Sequence, residues 1–414
     1  MSEVFEKLKR AKNASLVLGN ISTEVKNKAL QMIADGLRED ADKIVAENKK
    51  DLQRGEEKGL SASLLDRLML NPLRIGWIAS SIETMIGLKD PVGEVLSEWT
   101  RPNGLEIKKV RVPLGVIGII YEARPNVTVD SAALCLKSGN AVVLRGGSDA
   151  IYSNTILAEI IQREAYKAGI PEGSIEFITD ASHKSAEELM EARGYLDVLI
   201  PRGGRNLIQT VVQKAKVPTI ETGEGNCHAY VEKSADLDMA LRIIYNAKVS
   251  RPSVCNAIEK LIVDETIAKD FLPKVFEKLR EANVEILGDE RVVAIDKTVK
   301  LATEDDWGRE FLALIIAVKI VKNYEEAVSH INKYGTKHSE VIISTNKEAQ
   351  KYFTSFVDAS TVYVNASTRF TDGGEFGFGA EMGISTQKLH ARGPMALPEL
   401  TSYKYLVYGE GQVR

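Results

Sequence analysis

The sequence predicts an α/β fold of two or three domains built on parallel sheets, and three observations predict it. Short apolar runs alternate with amphipathic segments of helical period over most of the chain. Two of those runs end in an Arg and a Gly-Gly pair that open a helix, as strand–helix–strand units do. The length, 414 residues, exceeds what one ordinary core organises.

The elements follow in order. Residues 22–50 carry Val25, Ala29, Met32, Ile33 and Leu37 at helical spacing with charges between them, and helical patterning runs to about residue 88 with a break at Asn71-Pro72. Residues 94–112 place Pro102-Asn103-Gly104 between short apolar alternations, a β-hairpin signature. Such an excursion reads either as an oligomerisation arm or as a plain surface hairpin. Apolar runs at 115–120, 141–144, 175–178 and 198–200 read as buried strands, with helices at 130–138, 151–168 and 185–193 between them. A second series follows: helix 237–249, strand 257–263, helix 267–282, strand 312–321, helix 324–334 and strand 341–343. Residues 361–364 read as a strand returning toward the first domain, and the tail from Glu375 is rich in Gly and Pro with one late apolar segment at 403–408.

Composition narrows the function. Hydrophobic residues are 44% and charged residues 27% of the chain, the profile of a soluble globular protein. A net charge of -4 gives no electrostatic footprint for nucleic acid, yet leaves room for an anionic substrate met by local arginines. The N-terminal segment contains Glu3 and Glu6 and lacks the apolar core of a signal peptide. No stretch approaches the ~18 apolar residues of a membrane span. Three cysteines, an odd and sparse set, predict reduced thiols in a cytoplasm. Without Cys-x-x-Cys or His-Glu-x-x-His, no metal centre is expected.

Of the thiols, Cys255 is the candidate nucleophile. Pro252 and Ser253 put it in a loop ahead of an apolar strand, and Arg251 supplies positive charge to favour the thiolate. Cys227 adjoins His228, but neighbours on a strand point to opposite faces. Cys135 lies on an apolar helix face and reads as core. Arg145, Gly146, Gly147 and Ser148 follow one strand, and Gly203 and Gly204 follow another. Ligands of open α/β sheets bind at such carboxyl ends, where glycines let a phosphate near the backbone and helix N-termini favour anions. Either turn alone also fits an ordinary strand–helix connection. Arg124 and Arg251 are candidate phosphate forks, or else surface ion-pair partners.

Together these segments resemble the γ-glutamyl phosphate reductase family of the aldehyde dehydrogenase superfold, over nearly the whole chain. The most specific stretch is 321–342, with His330, Tyr334, Gly335, His338, Ser339 and Glu340; Arg251–Asn256 is similar to the family's nucleophile motif. The resemblance implies an aldehyde dehydrogenase-like fold. An NADP-binding domain takes residues 1–95 and 114–226 with a return segment at about 361–384, and a catalytic domain takes 227–360. An oligomerisation region takes 96–113 and 385–414. It implies Cys255 as nucleophile, Arg145 at the adenosine ribose, Ser148 at a 2′-phosphate, and Glu310 at the nicotinamide ribose. Glu221 falls on the superfold's general base. Ala123 replaces the superfold's oxyanion asparagine, which leaves Asn126 and the Cys255 backbone N–H as candidate donors. Arg124, Arg251 and His338 are the implied substrate contacts.

The implied reaction is NADPH-dependent reduction of L-glutamyl 5-phosphate to L-glutamate 5-semialdehyde and phosphate through a thioester, the second step of proline synthesis. The implied setting is a cytoplasmic homo-oligomer coupled to a glutamate 5-kinase. Two other readings compete: a hydrolytic NAD(P) aldehyde dehydrogenase with Glu221 as base, and a non-catalytic protein that reuses the fold.

Overall fold

The computed structural model describes residues 2–414, which divide into two compact units. The first runs to Thr222 and includes Gly377–Gly383 and Met395–Arg414; the second takes Gly223–Phe376 and Ile384–Pro394.

The first unit opens with five helices, Glu3–Leu18, Thr23–Glu39, Ala41–Glu57, Ala62–Leu68 and Pro72–Ile86. Ser2, Ser22, Ser61 and Asn71 cap four of them by accepting a backbone N–H three residues on, and Pro72 fits the first turn, where no N–H is needed. Asp40 interrupts what the sequence reads as one helix over 22–50. A four-stranded parallel sheet follows, in the order Ile175–Phe177, Ala141–Gly146, Val116–Tyr121, Val198–Arg202. Its central strands are buried at every residue, which explains their continuous rather than alternating apolar pattern. The hairpin Val95–Thr100 and Glu106–Pro113 turns at Gly104 (φ 88°) and gains a third antiparallel strand, Thr401–Tyr408, from the tail.

The second unit is a seven-stranded, wholly parallel sheet. Its order is Lys300–Leu301, Glu285–Gly288, Ile315–Val321, Ile258–Asp264, Cys227–Val231, Ser339–Ile343, Thr361–Val364. Leu237–Val249, Glu265–Glu281, Tyr324–Tyr334 and Lys347–Phe356 are its longer helices. The core packs Val231, Leu261, Val263, Val318 and Val341 against Phe271 and Phe276 of one of them.

Three expected boundaries move. Thr361–Val364 does not return to the first domain; it pairs with Ser339–Ile342 as the edge of the second sheet. Only Gly377–Gly383 of the expected return segment joins the first unit. The second unit begins at Gly223 rather than 227, because the Gly223 N–H bonds the Ile384 carbonyl (2.8 Å) and the Gly225 N–H bonds Glu310 (2.7 Å). The tail is divided: Ile384–Pro394 stays with the second unit, while Met395–Arg414 joins the first.

Candidate active site

The site is built at the amino ends of the second unit's strands. Cys255 lies in the turn-rich loop that enters Ile258–Asp264, Cys227 starts its strand, Glu310 precedes Ile315–Val321, and His338 precedes Ser339–Ile343. Carboxyl ends are the usual ligand side of a parallel sheet, so this cluster departs from that rule. Arg124, Asn126, Arg145–Ser148, Gly203, Gly204 and Glu221 belong to the first unit.

Cys255 is the one half-exposed thiol; Cys135 and Cys227 are buried. Its backbone is fixed from two sides. The Cys227 thiol donates to the Cys255 carbonyl at 3.1 Å. Gly225 packs so closely that a Cβ there would lie 1.5 Å from the same carbonyl oxygen. The next residue, Asn256, is a buried knot. Its Nδ2 donates to the carbonyls of Arg369 (3.3 Å) and Thr371 (2.9 Å), and its own carbonyl accepts from Thr368 Oγ1 at 2.7 Å. Arg369 returns a guanidinium N–H to Asn256 Oδ1 and donates from Nε to Ser250 Oγ at 3.1 Å. One side chain therefore spans the loop from Ser250 to Asn256.

Glu310 is held beside this loop. Its Oε1 accepts the Gly225 N–H at 2.7 Å, and burial pushes its pKa up to about 7 against that bond. Two neighbours on the strand after Cys255 fix the Glu310 segment. Glu259 accepts the Leu312 N–H at 3.1 Å, and Lys260 donates to the Arg309 carbonyl at 2.8 Å. Burial lowers the Lys260 pKa to about 7, and its ammonium lies 4.3 Å from the centre of the Phe311 ring. Glu259 is itself paired with Lys248 at 3.0 Å, both fully buried. The Cys255 loop and Glu310 thus share one rigid frame.

His338 is not placed to touch a substrate. It is fully buried; its Nδ1 meets Ser339 Oγ at 2.8 Å and lies 3.8 Å from the Cys227 sulfur. Burial lowers its pKa to about 4, so it is neutral. The alternation expected for Cys227 and His228 is observed: His228 turns instead to Glu340, with Nδ1 to Oε2 at 3.0 Å. Burial raises the Glu340 pKa and lowers that of His228, so this pair is neutral inside the sheet.

In the first unit, Arg145 has a different job from the expected ribose contact. Its side chain crosses the neighbouring strand end, and its guanidinium donates to the carbonyls of Ala181 (2.6 Å) and Ser182 (2.7 Å). It is 9% exposed, and burial lowers its pKa. Gly146 answers to packing, since a Cβ there would sit 2.2 Å from Asn154 Nδ2. Gly147 packs in ordinary contact with the Tyr121–Ala123 backbone, and Ser148 after it is exposed. Gly204 donates its N–H to Glu122 Oε2 at 2.8 Å, and that carboxylate lies at the N-terminus of Arg205–Lys214. A cavity of about 280 Å³ lies between His183–Glu191 and Arg205–Lys214, walled by Ala186, Met190, Leu207 and Val211. Asn126 Nδ2 donates to Asp130 at 3.0 Å, and burial raises the Asp130 pKa to about 6. Glu221 is half-buried at the end of the first unit's main segment.

Sequence reasoning missed Gly225, Arg369 and the Glu259–Lys260 brace. The two glycines of Gly223-Glu-Gly225 were a usable signal for close backbone approach. Arg369 lies 113 residues beyond Asn256, so no local pattern could join them.

Comparison with known proteins gives a consistent answer. Residues 2–294 match the aldehyde dehydrogenase family. A γ-glutamyl phosphate reductase of Halothermothrix orenii is 57% identical over 412 residues, covering 100% of this chain and 99% of that one. One of Clostridium perfringens is 57% identical over 413 residues and fully covered. The crystal structure of γ-glutamyl phosphate reductase from Thermotoga maritima superposes with a TM-score of 0.98 at 53% identity, each chain covered in full. An acetylating aldehyde dehydrogenase of Geobacillus thermoglucosidasius shares the fold, with a TM-score of 0.71 at 21% identity. The chain belongs to the γ-glutamyl phosphate reductase family, an aldehyde dehydrogenase-like α/β family.

Proposed function

We propose that the protein reduces L-glutamyl 5-phosphate to L-glutamate 5-semialdehyde and phosphate with NADPH, the second step of proline biosynthesis. The observation that carries the reading is full-length identity of 57% to γ-glutamyl phosphate reductases, joined to a half-exposed thiol in a loop fixed by an arginine. Cys255 Sγ attacks the γ-carbonyl carbon. The bond from that carbon to the phosphate oxygen breaks, phosphate leaves, and a thioester remains on Cys255. NADPH, when bound, supplies the hydride that the thioester carbonyl accepts. The resulting thiohemiacetal expels the Cys255 thiolate and releases the aldehyde. The rigid frame of Gly225, Cys227 and Asn256 holds the acyl group in position, so the second step is intramolecular in effect. The Cys255 backbone N–H and Asn126 are the candidate oxyanion donors.

The cofactor assignment rests on the first unit's strand ends. Gly147 and Ser148 are the proposed diphosphate and 2′-phosphate contacts, whereas Gly203 and Gly204 face the Glu122 carboxylate, which takes the Gly204 N–H that a phosphate would need; the cleft lined by Met190 and Val211 together with His183, Glu187 and Lys214 suits a planar base with polar edges. Glu310 is the nicotinamide-ribose contact. Arg124 meets the substrate phosphate and Arg251 meets a charged end of the substrate, and this chemistry leaves Glu221 no hydrolytic step to catalyse. The work is cytoplasmic, beside a glutamate 5-kinase that supplies a labile acyl phosphate. Among the described residues, no helix is long and apolar enough to cross a membrane.

Copies of the chain associate through the three-stranded sheet. Trp99, Tyr403, Tyr405 and Val407 share one of its faces and are 41–55% exposed.

The reverse reaction tests the reading. With glutamate semialdehyde and NADP, reduced cofactor accumulates only when phosphate is present. Phosphate-independent reduction would move the assignment to a hydrolytic dehydrogenase.

A further inference from the structure

We propose that Arg369, together with Arg251, forms an oxyanion receptor beside Cys255 that holds a charged end of the substrate, either its phosphate or its α-carboxylate. This deepens the proposed function and rests on it for the identity of the ligand.

The geometry is specific. Arg369 lies on the short 3-10 turn Thr368–Phe370, which is tied to the nucleophile loop by Thr368 Oγ1 and by both amide hydrogens of Asn256. Its guanidinium is aimed back at that loop and reaches Ser250, next to Arg251, and Asn256, next to Cys255. Both of those partners are neutral. Among the described residues, neither Arg369 nor Arg251 has a carboxylate within ion-pair distance, whereas Arg38, Arg163, Arg291 and Arg392 each do. Burial lowers the Arg369 pKa, and the neighbouring Arg251 cation lowers it further; Asp372, Cys255 and Glu375 act the other way. Arg369 is half-buried beside the exposed Arg251, and the repulsion between the two cations favours an anion bound next to them. The planar fork of a guanidinium fits carboxylate and phosphate oxygens alike. The Asn256 and Ser250 bonds hold that fork in place, so little side-chain freedom is lost when the anion arrives.

Alkylation of Cys255 tests the receptor without turnover. Iodoacetate is an anion and iodoacetamide is neutral, while both report the same thiolate. Cys135 and Cys227 are buried, so the reaction reports Cys255. Relative to wild type, Arg369→Gln lowers the iodoacetate-to-iodoacetamide rate ratio about tenfold, and Arg369→Lys keeps part of it. The ratio cancels any change in thiol pKa or in loop order that affects both reagents. An unchanged ratio in a folded Arg369→Gln protein overturns the proposal. If that variant fails to fold, wild-type protection decides: inorganic phosphate slowing iodoacetate identifies the phosphate end, L-glutamate slowing it identifies the α-carboxylate end, and protection by neither overturns the receptor. In the reverse assay the same split appears as a raised KM for phosphate or for semialdehyde in Arg369→Gln, with kcat changed less. A wild-type protein without phosphate-dependent turnover would sink the proposed function but leave the alkylation result standing.

Discussion

Glu310 shows how one carboxyl can report on the site. Its pKa stands near 7 instead of 4.5 because burial disfavours the anion more than the Gly225 N–H favours it. The folded protein therefore prefers Glu310 protonated. The associated stability is complete below the unfolded pKa and is lost as pH rises through about 7. Glu310→Gln removes this dependence while keeping an acceptor for Gly225. Urea-unfolding midpoints should show wild type losing stability relative to the variant between about pH 5 and 8. A difference that stays flat over that range would mean that Glu310 is not held in the buried geometry. The loop position of Cys255 was legible at this scale, because Pro252, Ser253 and the apolar strand are its sequence neighbours, whereas its assignment as nucleophile came from the family resemblance. Arg145 and His338 were not. Residue type and position do not say which way a side chain turns, and both turn into the fold.

At the level of elements, the strand Ile258–Asp264 does more than lead away from Cys255. Glu259 and Lys260 brace the Glu310 segment, and Lys248 on Leu237–Val249 neutralises Glu259. Lys248 and Glu259 are wholly buried, so removing one partner strands the other charge. Lys248→Met should cost about 3–5 kcal/mol in chemical denaturation, and adding Glu259→Leu should recover much of it. A single variant as stable as wild type would show that the pair is not buried as described. Tyr324–Tyr334 and Leu237–Val249 were legible to the residue, and in the structure Asn323 and Asp236 cap their starts. Thr361–Val364 was legible as a strand but assigned to the wrong sheet: an apolar alternation marks a strand without naming its partner. The short strands Glu285–Gly288 and Lys300–Leu301 give too brief a pattern to read.

The proposed cofactor turns belong to the first unit and Cys255 to the second, and the chain crosses between the units again near its end. Length suggested two or three domains but not that late exchange, which depends on pairings such as Ile384–Ser385 with Gly393–Pro394. The tail strand Thr401–Tyr408 completes the hairpin sheet and leaves its aromatic face uncovered by this chain. If copies pair there, wild type sediments as an oligomer and Tyr405→Asp with Val407→Asp sediments as a monomer. A wild-type monomer, or an unchanged double variant, would remove that surface from the account.

The central claim is that an acyl group rests on Cys255 until phosphate takes it. The direct measurement is the mass of the Cys255 peptide after the protein meets glutamate semialdehyde and NADP without phosphate and is quenched in acid. The account predicts a glutamyl adduct on Cys255, absent from Cys255→Ser and discharged when phosphate is added before the quench. An unmodified Cys255 in a protein that turns over, or an adduct that phosphate leaves in place, would contradict it.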